Sequence, residues 1–150
     1  DYAQLTVEEI EKLIYPIGFY RVKAKNIKRL SIILTGKYQC KIPETFEELI
    51  SLPGVGRKTA NCVLNYVFEK PAIAVDIHVH RIANRLGWVK TKTSEQTEQA
   101  LMKIVPPKEW IKVNKLLVGH GQTTCKPVKP KCDFCLIRNY CKFGLKFLKQ

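Results

Sequence analysis

Residues 43–76 read PETFEELISLPGVGRKTANCVLNYVFEKPAIAVD, and their punctuation predicts two helices joined by a glycine hairpin, then a loop that ends on a carboxylate. Phe46, Leu49 and Ile50 fall at helical spacing over Thr45–Leu52. Pro53 stops that helix because it donates no N–H and restrains the residue before it. Gly54 and Gly56 bracket Val55, so the backbone can take left-handed dihedrals and approach a partner with no Cβ between. A second helix is expected from Arg57 to Phe68, with Ala60, Val63, Leu64, Val67 and Phe68 as its apolar stripe. Its N-terminus aims unpaired N–H groups and partial positive charge at the hairpin, which suits an anion such as phosphate.

Two side chains in this stretch carry candidate chemistry. Lys58 occupies the first turn of the second helix, where the macrodipole favours Asp or Glu and disfavours a cation. Positive charge beside an ammonium favours its uncharged form, so this lysine is a candidate nucleophile; a solvated or phosphate-binding lysine is the plainer reading. Asp76 is placed to cap the next helix, and a cap that uses one carboxylate oxygen leaves the other to face a cleft. That helix is expected to carry Ile77, Ile82, Ala83 and Leu86 inward and to end at Gly87. His78 and His80 diverge on a helix, which argues against a joint metal site and for packing or polar support.

Toward the N-terminus, Thr6 with Glu9 forms a capping box and Leu5 with Ile10 a hydrophobic staple, for a helix over Val7–Tyr15 ended by Pro16 and Gly18. Phe19 and Tyr20 lie at the turn before the run RVKAKNIKR, which holds five cations and no acid. Ile27, Leu30, Ile33 and Leu34 give that run a buried face, and Gly36 is its expected cap. Its charges either only solvate the helix or meet a partner. Toward the C-terminus, Thr93 and Gln96 suggest another capping box, followed by Leu101, Ile104 and Val105 until Pro106 and Pro107 interrupt. A last helix carries Trp110, Val113, Leu116 and Leu117 and dissolves into GHGQTT at 119–124. No segment alternates over strand length, so the expected class is all-α.

Cys125, Cys132, Cys135 and Cys141 follow the spacing C-x6-C-x2-C-x5-C in a loop containing Pro127 and Pro130. Four thiolates from one loop can wrap a single metal centre. Zinc would take such ligands, but zinc knuckles normally show two close C-x2-C pairs where this loop has one; a cubane accepts the uneven spacing. Lys126, Lys129 and Lys131 project between the first two ligands as a clamp for a polyanion backbone. Cys62 is expected as a small core residue, and neither it nor Cys40 needs a function.

A chain of 150 residues is the usual size of one domain. Its 26 Lys and Arg against 13 Asp and Glu give a formal charge of +13, which favours nucleic acid as partner, with an acidic membrane surface second. No apolar run approaches membrane-spanning length, and no signal peptide is present, though a chain opening on Asp1 lacks its native start. Six cysteines, four of them in the last 26 residues, point to metal and a reducing compartment rather than to disulfides.

LPGVGRKTAN followed by VDIHVHR resembles the helix-hairpin-helix DNA glycosylases, and among them the endonuclease III family, over nearly the whole chain. By that resemblance Lys58 is the nucleophile that attacks C1′ of a damaged nucleotide and Asp76 its partner carboxylate. Leu52, Gly54, Val55, Gly56 and Arg57 become the DNA-binding hairpin, with a monovalent cation as a further expected occupant. Phe19 becomes an apolar wedge, Lys126, Lys129 and Lys131 contact DNA, and Cys125, Cys132, Cys135 and Cys141 hold one [4Fe–4S] cluster. The implied fold is a helical glycosylase barrel over 1–120, with its helix-hairpin-helix at 44–69, and a cluster loop with tail over 121–150. The implied activity is a bifunctional DNA glycosylase and abasic-site β-lyase that removes oxidised pyrimidines in base excision repair. Its partner is double-stranded DNA with damaged or abasic sites, met by a monomer inside the cell, in cytoplasm or nucleoid of a prokaryote or in a nucleus. Related mismatch and adenine glycosylases generally lack a lysine here, so Lys58 favours the lyase. Two departures stand: Ile77 replaces a threonine usual in the family, and the N-terminal segment that completes the family barrel is expected to be missing. A non-catalytic helix-hairpin-helix DNA-binding module, or a monofunctional mismatch glycosylase, are the rival readings.

Overall fold

The computed structural model describes residues 2–146, and every regular element among them is helical. The chain divides into two compact units, Asp1–Ala60 and Asn61–Gln150, and the division falls within a helix rather than beside the cysteine loop.

The first unit opens on the expected capping box. The Thr6 hydroxyl accepts the Glu9 N–H at 3.2 Å, and the Glu9 carboxylate accepts the Thr6 N–H at 2.7 Å, starting α1 (Val7–Ile14). Those bonds from Thr6 hold the Glu9 carboxyl below the usual carboxylate range. Ile10 of α1 is fully buried, and α2 (Tyr20–Gly36), packed against α1, presents the fully buried Ala24. Ile27, Leu30, Ile33 and Leu34 are half-buried beside it. Gly36 is not a left-handed cap: it is the last helical residue, Lys37 keeps helical dihedrals, and the turn comes later, at Gln39 and Cys40 with φ of 49° and 63°. Thr45 caps α3 (Phe46–Ile50) by accepting the Glu48 N–H at 3.3 Å. This helix is shorter than expected, and Ile50 faces solvent because Leu49 and Leu52 supply the inward positions.

The chain then enters α4 (Arg57–Tyr66), which ends before the expected Phe68. Glu69 takes a φ of 51° and the Lys70 N–H bonds the Leu64 carbonyl at 2.9 Å, so Val67 and Phe68 leave the helical stripe and Val67 is exposed.

In the second unit the hub is α5 (Ile77–Leu86), against which α6 (Ser94–Ile104), α7 (Trp110–Thr123) and α8 (Lys142–Lys146) pack. Val79, Ile82, Ala83 and Leu86 make its buried stripe, joined by Ile73, Val75, Leu101, Val113, Leu117 and Cys141. Ile77 is 72 % exposed, contrary to expectation, because Val79 sets the phase of the stripe and a residue two positions earlier points away from it. Gly87 ends α5 with φ of 81°, as expected. Thr93 caps α6, but the Gln96 carboxamide accepts the Lys92 N–H at 2.9 Å rather than that of Thr93, so only half of the box forms. Ile104 and Leu116 both point outward.

The largest departure is α7, which runs on through Thr123 where GHGQTT suggested an ending. Gly121 is buried at the crossing of α5 and α7: a Cβ there would lie 2.6 Å from His78 Nδ1 and 3.0 Å from Ile82 Cδ1. The glycine serves close approach, not helix termination.

Candidate active site and cysteine pocket

Within the first unit, the hairpin is shaped by Gly54. Its φ of 77° admits few side chains, and a Cβ would lie 3.0 Å from Asn26 on α2. The Val55 N–H bonds the Leu52 carbonyl at 3.1 Å to close the turn, while Gly56 faces open space. Leu52 is 5 % exposed, so its side chain belongs to the core and only its backbone can meet a partner. The Arg57 guanidinium lies 4.7 Å over the Phe46 ring, a cation–π contact that orients it. Lys58 is exposed in the first turn of α4, with no hydrogen bond or ion pair among the described residues.

Phe19 is not a core residue. It is 85 % exposed and has a φ of 60° ahead of α2, a left-handed backbone that costs a bulky residue about 1–2 kcal/mol. Neither packing nor local geometry accounts for an aromatic ring held in water by a strained backbone.

Asp76 owes its position to residues that periodicity did not flag. Residues 72–75 are buried and lie in no helix and no strand, so their polar backbone needs other partners. Three asparagines supply them. Asn61 Nδ2 donates to the Ile73 carbonyl at 3.1 Å, Asn65 Oδ1 accepts the Ala72 N–H at 3.1 Å, and Asn114 Nδ2 donates to the Ala74 carbonyl at 2.8 Å. Tyr66 donates to Asn114 Oδ1 at 3.1 Å; burial, then the negative charge of Cys62 and Asp76, pushes its hydroxyl above the ordinary tyrosine value.

At the end of this segment, Asp76 caps α5. Its Oδ1 accepts the N–H groups of His78 and Val79, both at 2.9 Å, and Oδ2 takes no hydrogen bond among the described residues. His78 and His80 give polar support: His78 Nδ1 meets Arg81 Nη2 at 3.1 Å, and His80 Nδ1 meets the Thr97 hydroxyl at 2.6 Å. Asp76→Ala is expected to lower stability by about 1 kcal/mol, while Asp76→Asn, which still accepts both N–H groups, stays within a few tenths. Equal unfolding midpoints for the two variants would mean that the cap contributes nothing.

Cys125, Cys132, Cys135 and Cys141 line one pocket with Arg85, His120 and Phe143. Among the described residues no three His, Cys, Asp or Glu side chains converge to hold one metal ion. Burial, then the other three cysteines, pushes the Cys132 thiol up, with Arg85 acting against them. The Gly144 N–H points at Cys141 Sγ at 3.3 Å, and Arg85 Nη1 donates to Cys125 Sγ at 3.3 Å. Four thiols around one pocket, with N–H donors aimed at two of them, are a donor set that fits a thiolate-bound metal centre. His120 stands 3.9 Å from Cys135 Sγ, its imidazole held below the ordinary histidine value by burial.

Two arginines missed in the sequence hold this loop to α5. Arg81 Nη2 donates to the Cys125 carbonyl at 2.9 Å. Arg85 donates to the carbonyls of Lys126 at 2.7 Å and Pro127 at 2.8 Å, with its guanidinium 4.6 Å over the Phe143 ring. Their signal was available: cations four apart on a helix with a buried apolar stripe. Lys126, Lys129 and Lys131 are all exposed on the loop so formed, and Lys129 has a φ of 49°.

Residues 1–107 match the family model described as HhH-GPD superfamily base excision DNA repair protein. The chain is 51 % identical over 141 residues to an Endonuclease III of Thermotoga maritima, covering 94 % of this chain and 66 % of that protein. It is 48 % identical over 145 residues to the chloroplastic Endonuclease III homolog 2 of Arabidopsis thaliana, covering 91 % of this chain and 38 % of the relative. Its fold is similar to that of a trapped Endonuclease III–DNA covalent intermediate, with a TM-score of 0.92 at 41 % identity over 98 % of this chain and 70 % of the other. A thermostable thymine-DNA glycosylase is similar at a TM-score of 0.83 and 27 % identity, over 97 % of this chain and 69 % of the other. The chain thus spans about two thirds or less of the length of these relatives, and with more than half of its residues matched by the family model it belongs to the HhH-GPD superfamily of base excision DNA repair proteins.

Proposed function

We propose that the protein is a bifunctional DNA glycosylase and abasic-site β-lyase acting on oxidised pyrimidines flipped out of double-stranded DNA. The observation that carries this reading is Lys58, exposed and unpartnered among the described residues in the first turn of α4, directly after a hairpin open at Gly56. The hairpin and the N-terminus of α4 would hold a DNA phosphate by backbone N–H groups, with a monovalent cation at the hairpin carbonyls.

The Lys58 amine attacks C1′, the N-glycosidic bond breaks, and the base leaves with the bonding electrons and takes up a proton. Asp76, through the carboxylate oxygen that does not cap the helix, accepts the proton of the attacking amine or stabilises the developing sugar cation. Ring opening gives an iminium between Lys58 and C1′. Loss of a C2′ proton then breaks the C3′–O bond and releases the 3′ phosphate, and water hydrolyses the imine to free the lysine. Phe19 enters the stack where the lesion leaves, offsetting part of an unstacking cost of a few kcal/mol.

Cys125, Cys132, Cys135 and Cys141 would hold a [4Fe–4S] cluster, which when bound cross-links the loop bearing Lys126, Lys129 and Lys131. No helix among the described residues is long and apolar enough to cross a membrane. The proposed setting is inside the cell with DNA, in cytoplasm or nucleoid of a prokaryote or in a nucleus, as a monomer.

Native protein incubated with borohydride and a duplex carrying an oxidised pyrimidine or an abasic site should form a covalent adduct. Base release with no adduct and an intact strand would make it a monofunctional glycosylase, and DNA binding with neither would leave a binding module.

A further inference from the structure

Five cations and no acid occupy residues 20–36 of α2, and neither the hairpin chemistry nor the cysteine loop uses them. Lys28 has a structural role, since its Nζ donates to the carbonyls of Ala3 at 2.8 Å and Leu5 at 2.7 Å. Arg21, Lys25 and Arg29 differ. They stand four apart, so they form a single stripe, and all three are exposed. Among the described residues none has an ion pair; the only contact of the three is the Arg21 guanidinium 4.9 Å from the Tyr20 ring.

A solvating helix face normally mixes signs so that pairs at i,i+4 attract, whereas like charges at that spacing repel. This stripe keeps the repulsive arrangement, and a rule broken without a local gain points to an outside partner. The stripe begins two residues after the exposed Phe19, and the same helix carries Asn26, against which Gly54 of the hairpin is packed. Hairpin, aromatic ring and cation stripe therefore share one helix of the first unit. From Arg21 to Arg29 the rise is about 12 Å, a span that takes in three to four nucleotide steps of one strand at about 3.4 Å each.

We infer that the Arg21, Lys25 and Arg29 face of α2 is a second DNA-backbone track, which supplies lesion-independent affinity beside the hairpin. This rests on the proposed DNA reading. Guanidinium and ammonium groups in a row on a rigid helix neutralise successive phosphates without reading bases, so damaged and undamaged duplex benefit alike.

The test is the triple variant Arg21→Gln, Lys25→Gln, Arg29→Gln, titrated against undamaged and abasic duplex across a potassium chloride series. Three lost phosphate contacts should reduce the magnitude of the log K against log salt slope by about 2.7 for both duplexes. The charge-preserving triple Arg21→Lys, Lys25→Arg, Arg29→Lys should retain the native slope, which separates charge from folding. A control triple at the exposed Lys90, Lys92 and Lys103, each to Gln, should leave the slope near native. An unchanged slope in the α2 triple, or an equal loss in the control, overturns the track. So does loss of phosphatidylserine-vesicle binding with an unchanged DNA slope, which assigns the face to a membrane. Borohydride trapping of the native protein is scored in parallel. Slope loss without any adduct keeps the track and discards the lyase, and an adduct with unchanged slope does the reverse.

Discussion

Lys58→Ala protein is expected to form no borohydride-stable adduct with abasic DNA and to release oxidised bases at least about a thousandfold more slowly in single turnover, a barrier increase of about 4 kcal/mol. The effect is large because in the proposed mechanism the Lys58 amine displaces the base and the imine it then forms carries strand cleavage, and no water or neighbouring group reproduces that carbon–nitrogen bond. The folded state should not notice: Lys58 is exposed and without a partner among the described residues, so its removal falls within about 0.5 kcal/mol. Binding should weaken only slightly, since one surface cation is lost. Lys58→Arg sharpens the test by keeping charge while removing the primary amine, and it should be as inactive as the alanine variant. An adduct that forms equally well with either variant places the nucleophile elsewhere.

How far this site could be read in the sequence depended on whether the signal was local. The Thr6 and Glu9 box, the Asp76 cap and the Gly87 stop are side-chain or backbone devices acting within four residues, and the structure has each of them. Failures occur where tertiary packing overrides a local cue. GHG at 119–121 has the composition of a helix end, but Gly121 is required by the approach of α5, which lies forty residues away in sequence. Ile77 is apolar in a helix yet exposed, because phase is set by the residues that find partners. Asn61, Asn65 and Asn114 looked like ordinary polar helix residues; their buried role exists only because a buried segment outside any helix or strand passes beside them. Arg81 and Arg85 likewise acquire meaning only once the cysteine loop is folded back onto α5.

That fold-back makes the cysteine pocket the place where a small substitution should cost most stability. Native protein is expected to be brown and to contain iron and acid-labile sulfide in equal amounts. Cys141→Ala should lose both the colour and the iron. Cys141 is buried in the core of the second unit, between the Arg85 carbonyl and the Gly144 N–H, so its ligand position is rigid and no nearby thiol can substitute for it. Closing a loop of some 15 residues is worth about 3 kcal/mol, and a cluster bound at four points closes three shorter segments within such a span, of 6, 2 and 5 residues. The net loss is set at about 4 kcal/mol because Arg81 and Arg85 hold part of the loop without metal. For a chain of this size that lowers the melting temperature by about 8–16 °C. Cys62→Ala removes the same atom from a position outside the pocket, so it should keep the iron and shift the midpoint far less. Stoichiometric zinc in freshly prepared native protein, with no acid-labile sulfide, would overturn the cubane. An iron-free Cys141→Ala protein that melted with the native midpoint would instead reduce the cluster to a passenger, and the loop lysines would then be positioned by Arg81 and Arg85.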